Sequence, residues 1–129
     1  MSIYCFGNTI DSGDYIPVQL IPILRKEFPA VSVIHLDPSE NFIPEHASVL
    51  IDSVEGASTV QMFSDIDAFV ITKSVSVHDY DLGLHLQLLK KLHKLPKIRI
   101  IAVPRYSSIM QVRNEVIALL RSILHEEGK

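Results

Sequence analysis

Apolar residues along this chain fall into short blocks separated by polar stretches. Ser2–Phe6 (S-I-Y-C-F) is short and apolar, stops at Gly7-Asn8, and reads as a buried strand. From Ile16 to Phe28 the apolar positions are 16, 17, 20, 21, 23, 24 and 28, which is helical spacing. Pro17 suits the first turn of that helix, where its missing N–H is not needed. Pro22 removes a donor further in and predicts a kink or a break. Arg25 and Lys26 near the end complement the helix dipole. Val31–Leu36 reads as a second strand ended by Asp37-Pro38, and Ser48–Val54 as a third ended by Glu55-Gly56.

The stretch 57–76 is ambiguous: Thr59–Phe63 and Asp67–Thr72 both have strand character, and β-propensity favours the latter. His78–Lys94 carries apolar residues at 82, 86, 89 and 92, with Asp79 and Asp81 in its first turn. Leu84, Leu88 and Leu95 form a second stripe and predict a helix buried on more than one side. Lys97–Val103 is the last strand, and Ser108–Leu124 the last helix, N-capped by Ser107 or Ser108. Strands alternating with helices predict one α/β domain over residues 1–129, a three-layer α/β/α arrangement around a mostly parallel sheet. Ligand sites in such sheets lie beyond the carboxyl ends of the strands. The segments to watch are therefore Gly7–Asp14, Asp37–Glu40, Asp52–Gly56 and Ser74–Asp81.

Composition narrows the classes. The chain has 129 residues, 47% of them hydrophobic, enough for a substantial core and too apolar for a disordered segment. Twelve Lys and Arg against fifteen Asp and Glu leave a net charge of −3, which argues against a nucleic-acid binder. A single cysteine excludes an internal disulfide and a cysteine-based zinc site. The N-terminus lacks the pattern of a signal peptide and no run is long enough to span a membrane, so the expected compartment is the cytoplasm. No phosphate loop, dinucleotide fingerprint or serine-hydrolase elbow is present.

The watched segments hold Asn8, Asp11, Asp14, Asp37, Asp52, Glu55, His78, Asp79 and Asp81. Two carboxylates and an imidazole gathered at one sheet edge make a facial site suited to divalent nickel, zinc or manganese. Asp11 is better read as a helix cap. Asp52 follows Val49-Leu50-Ile51 inside a strand, where a carboxylate is expensive to bury, and this favours function. His78 reads equally well as a ligand or a loop residue, whereas His85, among leucines, reads as a satisfied core or boundary histidine. His35, His46, His93 and His125 show no clustering, and Cys5 reads as a small core residue.

Three of these stretches, in order and spacing, resemble hydrogenase maturation proteases. Phe6-Gly7-Asn8-Thr9-Ile10-Asp11-Ser12-Gly13-Asp14-Tyr15-Ile16-Pro17-Val18 resembles that family's opening motif, a strand ending in Gly-Asn followed by an acid that opens a helix. Val49–Gly56 resembles its strand ending in Asp-Ala, and Ser74–Leu84 its Ser-x-x-His segment entering a helix. The resemblance runs from Ser2 to Pro104. It implies an endopeptidase that trims the C-terminal extension of a nickel–iron hydrogenase large-subunit precursor, an aspartyl-type peptidase with nickel supplied by the precursor. Carried over by position, the metal-sensing and catalytic residues are Asp14, Asp52 and His78. The partner would be the large-subunit precursor, met by a cytoplasmic monomer. The resemblance also implies a five-stranded sheet with a strand at Thr59–Phe63, antiparallel to its neighbour, and less regular structure at Asp67–Thr72. The first motif departs from the family: Gly13 replaces the first of two acids, Pro17 replaces a glycine, and Asp14 is shorter than the usual Glu.

Two other readings compete. A receiver-type domain fits the length and the position of Asp52, but Gly7-Asn8 and Arg105 stand where an acidic pair and a lysine are needed. A metal- or partner-binding α/β domain without peptidase activity would use the Pro104-Arg105-Tyr106 turn as an exposed contact.

Overall fold

The computed structural model describes residues 1–7, 16–37, 42–72, 82–105 and 107–127. The elements in chain order are β1 (Ser2–Phe6), α1 (Ile16–Glu27), β2 (Ser32–Leu36), β3 (Ser48–Val54), β4 (Gln61–Phe63), α2 (Ile66–Thr72), α3 (Leu82–Lys91), β5 (Ile98–Pro104) and α4 (Ile109–Glu127). The five strands form one sheet in the order β2-β1-β3-β5-β4. β1 runs parallel to β2 and to β3, and β3 runs parallel to β5. β4 pairs antiparallel with β5, Gln61 opposite Ala102 and Phe63 opposite Ile100. This is the mixed, mostly parallel sheet expected from the sequence. It differs from a receiver-type sheet, whose strands follow the order 2-1-3-4-5.

Alternation along each strand divides the core into two layers. Ile3, Cys5, Val49, Ile51, Ile101 and Val103 pack with Leu20 and Leu24 of α1 and with Val112, Val116 and Leu120 of α4. Tyr4, Phe6, Leu50, Val54, Ile100 and Ala102 pack on the opposite face with Ile66 and Phe69 of α2 and with Leu82, Leu86 and Leu89 of α3. β1 and β3 are buried along their whole length, as central strands of a parallel sheet must be.

Local chemistry explains the element ends. α4 opens with a capping box: Gln111 N–H donates to Ser108 Oγ (3.3 Å) and Ser108 N–H donates to Gln111 Oε1 (2.9 Å). α3 closes with a Schellman motif in which Lys94 N–H donates to Leu89 O (2.8 Å) and His93 N–H donates to Lys90 O (3.1 Å). His93 takes the left-handed position of that motif, with φ 57°. Arg25 donates through Nη2 to Val33 O (2.9 Å) and so engages a carbonyl of β2, a role beyond the dipole complement read from the sequence.

Three expectations need correction. Of the kink or break expected at Pro22, the break does not occur: α1 runs through Pro22 as one helix. Residues 66–72 are helical, neither strand nor irregular. Asp65 Oδ1 accepts from Asp67 N–H (2.9 Å), an N-cap, and Ile66 and Phe69 then lie three residues apart on the buried side. Cap and packing outweigh the β-propensity of Phe-Val-Ile-Thr. The second leucine stripe is buried only at Leu95, which packs partly against the core, whereas Leu84 and Leu88 are 50% and 47% exposed; Leu92, expected on the first stripe, is 52% exposed. Residues 78–81, expected to open that helix, lie outside the described residues.

Candidate functional site

Parallel pairing of β1, β2, β3 and β5 brings their carboxyl ends to one edge of the sheet. Asp52 sits there, near the end of β3, between β1 and β5 and opposite Ala102. It is 5% exposed. Strand alternation puts it on the face of Leu50 and Val54, under α2 and α3. Its Oδ1 accepts from the Ser53 backbone N–H at 3.0 Å. Taking a carboxylate out of water costs several kcal/mol unless charge and hydrogen bonds compensate it. The sequence-based expectation of a buried acid at this strand end therefore holds.

Asp14 and His78 lie outside the described residues. What can be placed is where their segments attach. Asp14 lies between the carboxyl end of β1 and Ile16, the buried first residue of α1. His78 precedes Leu82, the fully buried first residue of α3, which belongs to the same core layer as Leu50 and Val54. Among the described residues no group of three His, Cys, Asp or Glu side chains is arranged to hold a metal ion.

Two other histidines near this edge have structural partners. His85 is buried, donates through Nε2 to Phe42 O (2.7 Å) and stacks on the Phe42 ring at 4.7 Å. Phe42 in turn lies 5.2 Å from the Phe6 ring and 6.0 Å from that of Tyr4. This aromatic group fastens the segment before β3 to the layer that contains Asp52, and the core reading of His85 is correct. His35 donates through Nε2 to Gly7 O at 3.0 Å, tying the ends of β1 and β2 together where the Gly-Asn motif begins. Sequence reasoning missed that role, because it depends on the β1–β2 register, which pairs Cys5 with His35.

Cys5 is fully buried, and burial pushes its thiol up to about 12, with Arg25 offsetting only part of the effect. Such a thiol stays protonated and is no nucleophile at neutral pH. The Pro104-Arg105-Tyr106 turn is less open than expected. Pro104 is buried, Arg105 is half-buried with its backbone N–H donating to Val54 O (2.8 Å), and Tyr106 lies outside the described residues. An open cleft of about 440 Å³, lined by Ser64, Asp65, Ile66, Lys90, His93 and Leu95, lies at the opposite end of α3 from Leu82. It is therefore separate from the carboxyl edge. Among the described residues no helix is long and apolar enough to cross a membrane.

Neither a protein-family model nor a curated protein sequence matches the chain. Solved structures do. The hydrogenase maturating endopeptidase HybD from Escherichia coli is 14% identical and superposes with a TM-score of 0.74, over 98% of this chain and 93% of that one. An endopeptidase from Escherichia coli, solved in solution, is 15% identical with a TM-score of 0.71, over 99% and 94%. The [NiFe] hydrogenase maturation protease HycI from Thermococcus kodakarensis is 17% identical with a TM-score of 0.60, over 96% and 91%. At such identities the likeness is one of fold. The fold is that of structures solved for hydrogenase maturation proteases, the family whose motifs the sequence resembles.

Proposed function

We propose that this chain is an endopeptidase that removes the C-terminal extension of a nickel–iron hydrogenase large-subunit precursor after nickel insertion. The observation that carries this reading is Asp52, a buried carboxylate at the carboxyl edge of a sheet whose fold matches hydrogenase maturation endopeptidases. The motif order adds support: the segments holding Asp14 and His78 enter α1 and α3, which lie on opposite faces of the sheet.

In this reading the nickel is part of the substrate. Asp14, Asp52 and His78 recognise it, and so couple cleavage to completed metal insertion. Two carboxylates and one imidazole are a chemically sensible donor set for nickel, and three protein ligands leave positions for donors from the precursor. Hydrolysis adds water across one peptide bond: the oxygen goes to the carbonyl carbon and a proton goes to the departing amine. The buried thiol of Cys5 takes no part. The protein works as a monomer in the cytoplasm.

The test is cleavage of a nickel-loaded precursor by the wild-type chain beside Asp14→Ala, Asp52→Asn and His78→Ala. Loss of cleavage in all three, with nickel or cadmium titration of the isolated protein weakened in His78→Ala, is the expected result. Cleavage at the wild-type rate in all three would overturn the assignment.

A further inference from the structure

The inward side of α4 has an apolar period that is broken at one place. Positions 113, 117, 120 and 124 follow at helical spacing and so share a side of the helix. The last three are Ile117, Leu120 and Leu124, which pack in the layer beneath α1 and α4. The first is Arg113, next to the buried Val112. Arg113 is half-buried, and its Nε is out of contact with solvent. Among the described residues no acceptor meets that Nε. Other arginines differ: Arg25 donates to Val33 O, Arg99 pairs with Glu126, and Arg121 pairs with Glu27.

A donor withdrawn from water without an acceptor costs the desolvation of that group. An apolar residue would continue the stripe free of that cost, as Ile117 does one turn later. The guanidinium thus suits a partner that the described chain does not supply, and its planar fork fits an oxyanion, carboxylate or phosphate. Position narrows the choice. Arg113 lies one turn, about 6 Å, from Ile109, where α4 begins after β5. Its neighbour Val112 shares a core layer with Val103, and Val103 pairs with Ser53, the residue after Asp52. Arg113 therefore stands near the carboxyl edge on the side of α1 and α4, while Asp52 stands there on the side of α2 and α3. Arg105, the residue after β5, brings a second guanidinium to this end of the strand. The proposed substrate is a polypeptide, so the oxyanion is a carboxylate. With layers about 10 Å apart and an extended chain rising about 3.3 Å per residue, it lies within about five residues of the bond that is cut.

We infer that Arg113 is a specificity-determining residue that pairs with an Asp or Glu carboxylate of the precursor close to the cleavage point. This rests on the reading of the chain as a maturation endopeptidase. The pair holds the substrate across the sheet edge in one register and makes or breaks no covalent bond, so it enters KM and not kcat.

The experiment uses the full chain and the nickel-loaded precursor in three forms: unaltered, with the acids just before the cut bond changed to amides, and with those just after it changed. Cleavage kinetics are measured for the wild type, Arg113→Met and Arg113→Lys. One amide form is expected to raise the wild-type KM roughly tenfold, with kcat within about twofold. Which form does so tells whether the carboxylate belongs to the mature body or to the extension. Arg113→Met should raise KM for the unaltered precursor by a similar factor and be indifferent to the amides, the non-additivity of a direct pair. Arg113→Lys keeps the charge without the fork and should fall between. Methionine keeps the apolar stem and removes the unmet donor, so the urea midpoint of Arg113→Met should equal or exceed that of the wild type. A wild-type KM insensitive to both amide forms, or an Arg113→Met KM that responds to them as the wild type does, overturns the pairing and leaves the functional reading standing. A lowered midpoint with unchanged KM makes Arg113 a structural residue and also overturns it. A wild-type chain that neither binds nor cuts any form of the precursor overturns the functional reading and this inference with it.

Discussion

The two faces of the sheet bury comparable strands under very different helices. Over one face lie α1 and α4, of 12 and 19 residues, and the layer between is mostly Ile, Leu and Val with the single thiol of Cys5. Over the other lie α2 and α3, of 7 and 10 residues. That layer includes aromatic rings, the hydrogen-bonded imidazole of His85 and the carboxylate of Asp52. The first face asks only for shape and apolar area, so long amphipathic helices satisfy it. The second must also satisfy polar atoms, and each one needs a partner of fixed geometry. Both faces bury a full apolar layer, and the candidate chemistry lies on the one that also has polar side chains to satisfy.

Asp52→Asn breaks the comparison most sharply. It keeps an acceptor for the Ser53 N–H and removes the charge. Precursor cleavage should fall roughly a thousandfold, equivalent to about 4 kcal/mol in the barrier. The unfolding temperature should stay within a few degrees, because the amide keeps the shape of the side chain and its acceptor for the Ser53 N–H. A large fall in melting temperature with activity retained would place Asp52 among the structural residues.

Leu120→Ala tests the other face. Leu120 is fully buried, and its truncation should cost about 3 kcal/mol, read from urea unfolding. Leu88→Ala, on the outward side of α3, should cost less than about 0.5 kcal/mol. Equal costs would mean that the exposed stripe is covered within the chain itself.

Much of this asymmetry was legible in the sequence. The apolar runs of β1 and β3 located both strands, and the expected ends of β3, Ser48 and Val54, are its observed ends. The burial of Asp52 was legible as well, since it follows Val49-Leu50-Ile51 within an apolar strand. The failures share a cause: each depends on what a residue meets in space. The heptapeptide of α2 has strand propensity, and only the Asp65 cap and the core against Ile66 and Phe69 make it helical. The leucines of α3 look alike in sequence, and which of them turn outward follows from the side that packs on the sheet, where Leu82, Leu86 and Leu89 are buried.

Cys5 supplies a pH test of the apolar face. Its thiol titrates near about 12 when folded, against 9.0 for the unfolded reference. The folded state therefore holds its proton more tightly, and the stability this represents is complete below pH 9.0 and lost as the pH rises toward about 12. Between roughly pH 8 and 10 the wild type should lose about 1 kcal/mol more than Cys5→Ala, measured as the difference in urea unfolding. Parallel alkaline losses in the two proteins would mean that the thiol is not held in an apolar layer. Thiol reagents should likewise label Cys5 only on unfolding.

The smallest effect concerns the end of α3, where the second face stores strain. His93 adopts φ 57° to complete the Schellman motif, a position that a side chain disfavours and glycine accepts freely. His93→Gly relieves that cost in the folded state, while glycine's greater freedom in the unfolded chain returns part of the gain. The net should be a stabilisation of about 0.5 kcal/mol, with both closing hydrogen bonds, to Leu89 O and Lys90 O, retained. His93→Ala keeps the left-handed strain and should give no such gain. Because the motif sets where α3 stops, the glycine variant should also leave precursor cleavage unchanged. If His93→Gly instead destabilises the protein while His93→Ala does not, backbone freedom at the cap is being lost on folding rather than strain relieved, and the second face carries less stored strain than its φ angle implies.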